Sequence, residues 1–235
     1  LQLPTARIDK GRAEKKKLIR DKTVETTQLE STISRYIRVF DRLGYKGIKP
    51  IALPRPIPVT AVQQLDATAT LKWIGIAPFA AHRGKQYPLE MMEDLINKLD
   101  QTARFSIFLL GAPTQQAALE TMAQGCAHTQ VVAGKLAFSD QINLIGQLDL
   151  MLSMDSGNGH LAAMYAVPTI TLWGVTHPAL GFAPFGQEAH VLLSDREAYP
   201  LIPTSVYGNS LPPGYDGLMQ SIAVDTILEK IDELV

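Results

Sequence analysis

From residue 72 onward, short apolar runs alternate with longer stretches in which apolar residues recur every three or four positions. The runs Trp73 to Ala77, Phe105 to Leu110, Gln130 to Ala133, Leu148 to Met154 and Thr169 to Leu172 have the length and continuity of buried strands. Between and after them, Leu89 to Gln101, Gln115 to Gln124, Ser139 to Gln147 and Gly159 to Tyr165 carry helical periodicity, each behind a proline, a capping residue or a glycine-containing turn. Such alternation predicts a parallel sheet with helices on both faces, because a right-handed crossover between parallel neighbours needs a helix in between. The expected class is therefore α/β with a Rossmann-like sheet. Ser194 to Gly217 reads as a proline-containing loop, and Ile222 to Leu234 as a closing helix.

The first 55 residues follow a different pattern. Leu3 to Ile8 reads as part of a strand, and Thr27 to Leu43 as an amphipathic helix with Leu29, Ile33, Tyr36, Ile37 and Phe40 on one face, ended by Gly44. Pro50, Pro54, Pro56 and Pro58 then predict an extended linker. The division expected is 1–55 as the end of one domain plus linker, and 56–235 as a second domain. The chain opens at Leu1 without a methionine and reads as a piece of a longer protein.

Charge sharpens this division. The net charge of the 235 residues is −1, but residues 1–55 hold 14 Lys and Arg against 6 Asp and Glu, leaving a strongly acidic remainder. The basic run Lys10, Arg12, Lys15, Lys16, Lys17, Arg20 and Lys22 is either a solvated helix face or a surface turned to an anionic acceptor or membrane. One cysteine, Cys126, makes no internal disulfide, and no Cys/His spacing suits a structural zinc, so a reducing, cytoplasmic setting is expected. No apolar run is long enough to span a bilayer.

In parallel α/β sheets ligands sit beyond the carboxyl ends of the strands, which directs attention to the loops there. The segment Ser153-Met154-Asp155-Ser156-Gly157-Asn158-Gly159-His160 joins a strand to a helix with two glycines and a hydroxyl. Backbone N–H groups of Ser156, Gly157, Asn158, Gly159 and His160 at a helix start suit phosphate oxygens, and small side chains admit a diphosphate. An ordinary capped turn with a buried histidine is the alternative. A serine hydrolase does not fit, since Met154 stands where a nucleophile elbow needs glycine. Loop 78–88 carries Arg83 and Lys85, two of eight basic residues beyond residue 55, as candidate partners for a departing diphosphate. Gly111, Thr114 and Gln115 sit where a ribose hydroxyl would be met, and Gly134, Lys135 and Leu136 where a nucleobase would pack. Trp173 reads as core.

Taken in order, these residues resemble the heptosyltransferases of glycosyltransferase family 9. The likeness runs through Lys85-Gln86-Tyr87-Pro88, Leu109-Leu110-Gly111-Ala112-Pro113, Asp155-Ser156-Gly157-Asn158-Gly159-His160-Leu161-Ala162-Ala163, Val167-Pro168-Thr169 and Leu172-Trp173-Gly174. Ile8-Asp9-Lys10-Gly11-Arg12 and Arg35-Tyr36 look like the end of that family's N-terminal domain.

The resemblance implies a GT-B architecture of two Rossmann-like domains, with this chain holding the donor-binding C-terminal domain and a remnant of the other. It implies transfer of a sugar from ADP-heptose or a related ADP-sugar to a lipid-linked saccharide of the lipopolysaccharide core, with inversion and without metal or other cofactor. Lys85 would contact the donor's phosphate or sugar, Asp155 the sugar, the 156–160 backbone the diphosphate, and Gly134 to Leu136 the adenine. The general base would lie outside this chain, leaving it inactive alone. Basic residues 10–22 would touch the cytoplasmic face of the inner membrane, and no nucleic-acid partner is expected. Gln115 and Gln116 stand where relatives often carry a glutamate. A catalytically silent nucleotide-binding module and a sugar-nucleotide epimerase are the alternatives.

Overall fold

The computed structural model describes residues 3–24, 27–65 and 70–235; residues 1, 2, 25 and 26 of the segment assigned to the first domain, and residues 66–69 of the second, lie outside them. The order of elements is α1 (Arg12–Asp21), α2 (Thr32–Arg42), α3 (Thr60–Gln63), β1 (Lys72–Ala77), α4 (Leu89–Gln101), β2 (Phe105–Leu109), α5 (Gln116–Met122), β3 (Thr129–Val131), α6 (Phe138–Ile145), β4 (Leu150–Met154), α7 (Gly157–Met164), β5 (Thr169–Trp173), β6 (Val191–Leu193) and α8 (Val224–Leu234). Six strands form one parallel sheet in the order β3-β2-β1-β4-β5-β6. The strand order reverses between β1 and β4, and that is where a parallel sheet opens a crevice.

The interior strands are apolar along their whole length because both faces are covered, as the continuous runs in the sequence require. One face packs Ile74, Ile76, Ile107, Leu109, Leu152 and Leu172 against α4 and α8; the other packs Phe108, Leu110, Met151, Ala162 and Val167. The parallel sheet, its covered faces and the strand positions thus agree with the sequence reading. Boundaries moved by at most two residues, and the edge strand β6, only three residues long, is an addition.

The first segment departs more. Leu3 to Ile8 is not a strand, having no neighbour to pair with among the described residues. Helix α2 does form, capped by the Ser31 hydroxyl accepting from the Ser34 N–H, but Tyr36 and Phe40 of its apolar face remain 53% and 46% exposed. What α2 buries is Arg35, whose guanidinium meets Glu14 at 2.8 Å and donates to the Glu30 and Asp9 carbonyls. The helix is docked instead through its start: the Leu29 and Thr32 N–H groups donate to the Ala179 and Gly181 carbonyls, and Leu18, Val24 and Leu29 close over Ala179 and Leu180. The basic run forms α1 and is not wholly solvated, since Lys15 is buried with its ammonium 3.9 Å from the Phe182 ring centroid. Residues 50–58 are extended, as the prolines require. They lie along the domain, with the Leu53 N–H donating to the Met164 carbonyl and Arg55 to that of Leu148.

One buried polar contact holds the loop after β1. The Tyr87 hydroxyl donates to the Ile222 carbonyl at 2.7 Å, and burial together with the nearby Asp94 pushes the phenol up to about 12. Beside it, the Gln86 amide accepts from the Ala80 N–H and donates to the Tyr87 carbonyl, bracing the loop on itself. Tyr87→Phe leaves the Ile222 carbonyl without its donor, so denaturant unfolding is expected to show a loss of about 1–2 kcal/mol. An unchanged midpoint would mean that the hydroxyl contributes nothing net.

Candidate functional site

The cleft lies along the carboxyl ends of β1, β2 and β4. Loop 78–88 leaves β1 and turns through a short 3₁₀ segment, Arg83–Lys85, whose Gly84 carbonyl accepts from the Val175 N–H just beyond β5 at 2.9 Å. Approach this close depends on Gly174, because a Cβ there would collide with that same carbonyl oxygen. The contact brings Lys85 over the end of β4, where its ammonium meets Asp155 Oδ2 at 2.8 Å, with the two side chains only 12% and 11% exposed. The Thr176 hydroxyl donates to the same oxygen at 2.7 Å.

From Asp155 the chain enters α7. Ser156 is extended at its N-cap, makes no side-chain cap, and has a buried hydroxyl without a partner. First-turn N–H groups have no acceptor within their own helix, so the start of α7 offers uncapped donors and the positive end of the helix dipole beside a lysine. Asn158 and His160 are two positions apart, about 200° around the axis, and look into different cavities. Asn158 lines a cleft of about 570 Å³ together with Phe79, Ala80, Gly111, Gln115 and Leu136. His160 lines a smaller cavity of about 180 Å³ with Thr32, Tyr36 and Phe182.

Of the residues singled out in the sequence, Lys85, Asp155, Ser156, Gly157, Asn158, Gly159 and His160 converge on this strand-to-helix turn. Gly111, Gln115 and Leu136 line the large cleft, whereas Thr114, Gly134 and Lys135 do not. Lys135 reaches toward Glu120, 3.9 Å away at the surface, and the Gln115 side-chain amide oxygen accepts from the Ala112 N–H. Arg83 is not brought to this turn: its guanidinium pairs with Asp216 at 2.9 Å in solvent. In a 3₁₀ turn residues two apart are rotated by about 240°, so Arg83 and Lys85 cannot share a face. Trp173 is buried, as expected. Sequence reasoning missed Thr176 and Phe138, a cleft-lining ring that stands 68% exposed. Thr176 lies in a strand-end loop already marked by the pattern, which was the one available signal. Among the described residues no group of three or more His, Cys, Asp or Glu could hold a metal ion, and no helix is long and apolar enough to cross a membrane.

His160 reports on the electrostatics here. Although its ring keeps a solvent edge, crowding by the protein disfavours the imidazolium and lowers its pKa from 6.5; Asp155 opposes the shift and Lys85 adds to it.

Comparison with known proteins now bears on this geometry. The family described as Glycosyltransferase family 9 (heptosyltransferase) matches residues 7–207. Lipopolysaccharide heptosyltransferase 1 of Escherichia coli K12 is 27% identical over 113 residues, covering 48% of this chain and 35% of that relative. A glycosyl transferase family 9 structure from Veillonella parvula superposes with a TM-score of 0.68 at 19% identity, covering 88% of this chain and 60% of that one. The E. coli heptosyltransferase WaaC, solved with ADP-2-deoxy-2-fluoro heptose, gives 0.59 at 20% identity, covering 86% and 56%. The chain thus spans less than two thirds of the length of each of these relatives, and the structural likeness establishes the fold.

The imidazole provides a direct check of the charge arrangement. Because its folded pKa is depressed, the unfolded chain takes the proton first, and His160 lowers stability as pH falls below about 6.5. In proton NMR titrations, Asp155→Asn is expected to move the His160 midpoint further down and Lys85→Met to move it up. Midpoints that ignore both substitutions would show that the pair does not face the ring.

Proposed function

Since this chain belongs to glycosyltransferase family 9, we propose that it supplies the donor side of a heptosyl-type transfer from an ADP-sugar, ADP-heptose first among them, to a lipid-linked saccharide of the lipopolysaccharide core. The observation that carries this reading is the Lys85–Asp155 pair set at the uncapped start of α7, beside a cleft of nucleoside size. In this reading the nucleoside occupies the cleft between Gly111, Gln115 and Leu136, and the diphosphate meets the first-turn N–H groups of α7 and the Lys85 ammonium.

The chemistry follows from charge. Breaking the bond between the anomeric carbon and the diphosphate moves negative charge onto the leaving phosphate oxygens, and donors already in place answer it without reorganisation. An ammonium has three donors, of which the Asp155 contact uses one, leaving two for phosphate oxygens. A lysine and a helix N-terminus meet that charge here, so the reading needs no metal. Inversion follows from a single displacement in which the acceptor hydroxyl attacks the face opposite the diphosphate and gives its proton to a base. In this reading Asp155 serves the pair with Lys85 and the bound sugar, and the base is proposed to belong to residues outside this chain. The exposed basic positions of α1, Arg12, Lys16 and Lys17, are proposed to face the anionic acceptor or the inner membrane that carries it.

Calorimetric titration with ADP and with ADP-heptose tests the assignment. Saturable binding is expected from the 235-residue chain, and binding at least about tenfold weaker from the Lys85→Ala, Asp155→Ala double variant. No saturable binding by a folded sample, or equal binding by the variant, would remove the donor site from these residues. Sugar transfer by the chain alone is expected to be absent, and measurable turnover would contradict the placement of the base elsewhere.

A further inference from the structure

The contacts of the Asp155 carboxylate fall unevenly on its two oxygens. Oδ2 takes both the Lys85 ammonium at 2.8 Å and the Thr176 hydroxyl at 2.7 Å, while no described residue bonds Oδ1. Oδ2 is thus engaged by an ion pair and by a hydrogen bond, and Oδ1 keeps its accepting capacity in a side chain that is 11% exposed. Thr176 is itself buried, and its loop is held in two ways: the Val175 N–H donates to the Gly84 carbonyl, and the Val175 carbonyl accepts from the Thr204 N–H. The lysine is seated from the other side. Gly208, at φ +82°, lies against the Lys85 stem so closely that a Cβ there would overlap Lys85 Cδ and come within 3.2 Å of Thr176 Cγ2. Gly208 is held in turn by its N–H donating to the Ser205 hydroxyl.

We propose that Thr176 is a positioning residue of the donor site: by occupying Oδ2 beside Lys85 it fixes the rotation of the Asp155 carboxylate and presents Oδ1 to a hydroxyl of the bound sugar. This inference rests on the proposed donor reading and deepens it. Without the Thr176 hydroxyl, the carboxylate is free to rotate and to engage the ammonium through either oxygen. Lys85 then shifts relative to the start of α7, and the sugar hydroxyl loses a fixed acceptor. The ligand class is a nucleotide joined to a polyhydroxylated ring, and the contact with Oδ1 belongs to the ring rather than to the nucleotide.

Titrating the chain with ADP and with ADP-heptose separates the two parts of the ligand. Wild type is expected to bind ADP-heptose more tightly than ADP. Thr176→Val, which keeps the shape and removes the hydroxyl, should weaken ADP-heptose by about tenfold and ADP by less, so that the preference shrinks. Thr176→Ser, which restores a hydroxyl, should restore the preference. If valine at this position prevents folding, Thr176→Ala supplies the same comparison. Unchanged binding of both ligands by the folded valine or alanine variant overturns the proposal while leaving the donor reading intact. Equal weakening of both ligands, unrescued by serine, assigns Thr176 a merely structural role and overturns it too. Wild type that binds neither ligand defeats the donor reading and this inference together, and wild type that shows no preference for ADP-heptose removes the Oδ1 contact alone.

Discussion

The pairing of Lys85 with Asp155 constrains everything around it. An ammonium and a carboxylate withdrawn this far from water lose hydration that only close, well-bonded geometry recovers, and leaving either alone would be severely destabilising. The two residues lie on different loops, so the geometry depends on how those loops meet. That meeting is a backbone matter. The Gly84 carbonyl rests on the Val175 N–H because Gly174 has no side chain, and the loop of Gly208 closes over the lysine stem for the same reason. Glycine at these points allows close approach, and tightly placed backbone in turn fixes a charged side chain that would otherwise sample many rotamers.

The fold places this pair to advantage. Strand order reverses between β1 and β4, and the helices that follow those strands, α4 and α7, lie on opposite faces of the sheet. The loop leaving β1 carries Lys85, and that leaving β4 carries Asp155 with the start of α7. The large cleft opens beside the start of α7, where Asn158 lines it. Neutral groups line the cleft, and the Lys85–Asp155 pair lies outside that lining. That distribution suits a molecule with an uncharged ring system at one end and anionic groups in the middle.

The basic first segment is bound to the same region more closely than its composition suggests. Lys15 stacks on Phe182, α2 begins on the carbonyls of Ala179 and Gly181, and His160 shares a cavity with Tyr36. Part of the positive charge is thereby spent inside the molecule, with Arg35 shared among Glu14 and two carbonyls, while Tyr36 and Phe40 keep an apolar surface in solvent.

How much of this was legible in the sequence differs by feature. Continuous apolar runs separated by helical periodicity could only be a parallel sheet, because burial on both faces and the crossover between parallel strands leave that one arrangement; each signal is local to its element. The strand-end loops were legible for the same reason, and with them Lys85, Asp155 and the glycine turn. The direction of α2 was not, since its apolar stripe shows that a face exists and not what covers it. Nor was the fate of Arg83, two residues from Lys85 and turned to Asp216 by the pitch of a single 3₁₀ turn. The sequence by itself determined the architecture and the place of the candidate site. Tertiary structure alone decided which oxygen of Asp155 is occupied and that Thr176 occupies it, because pairing across separate loops is set by backbone contacts that leave no period or spacing behind.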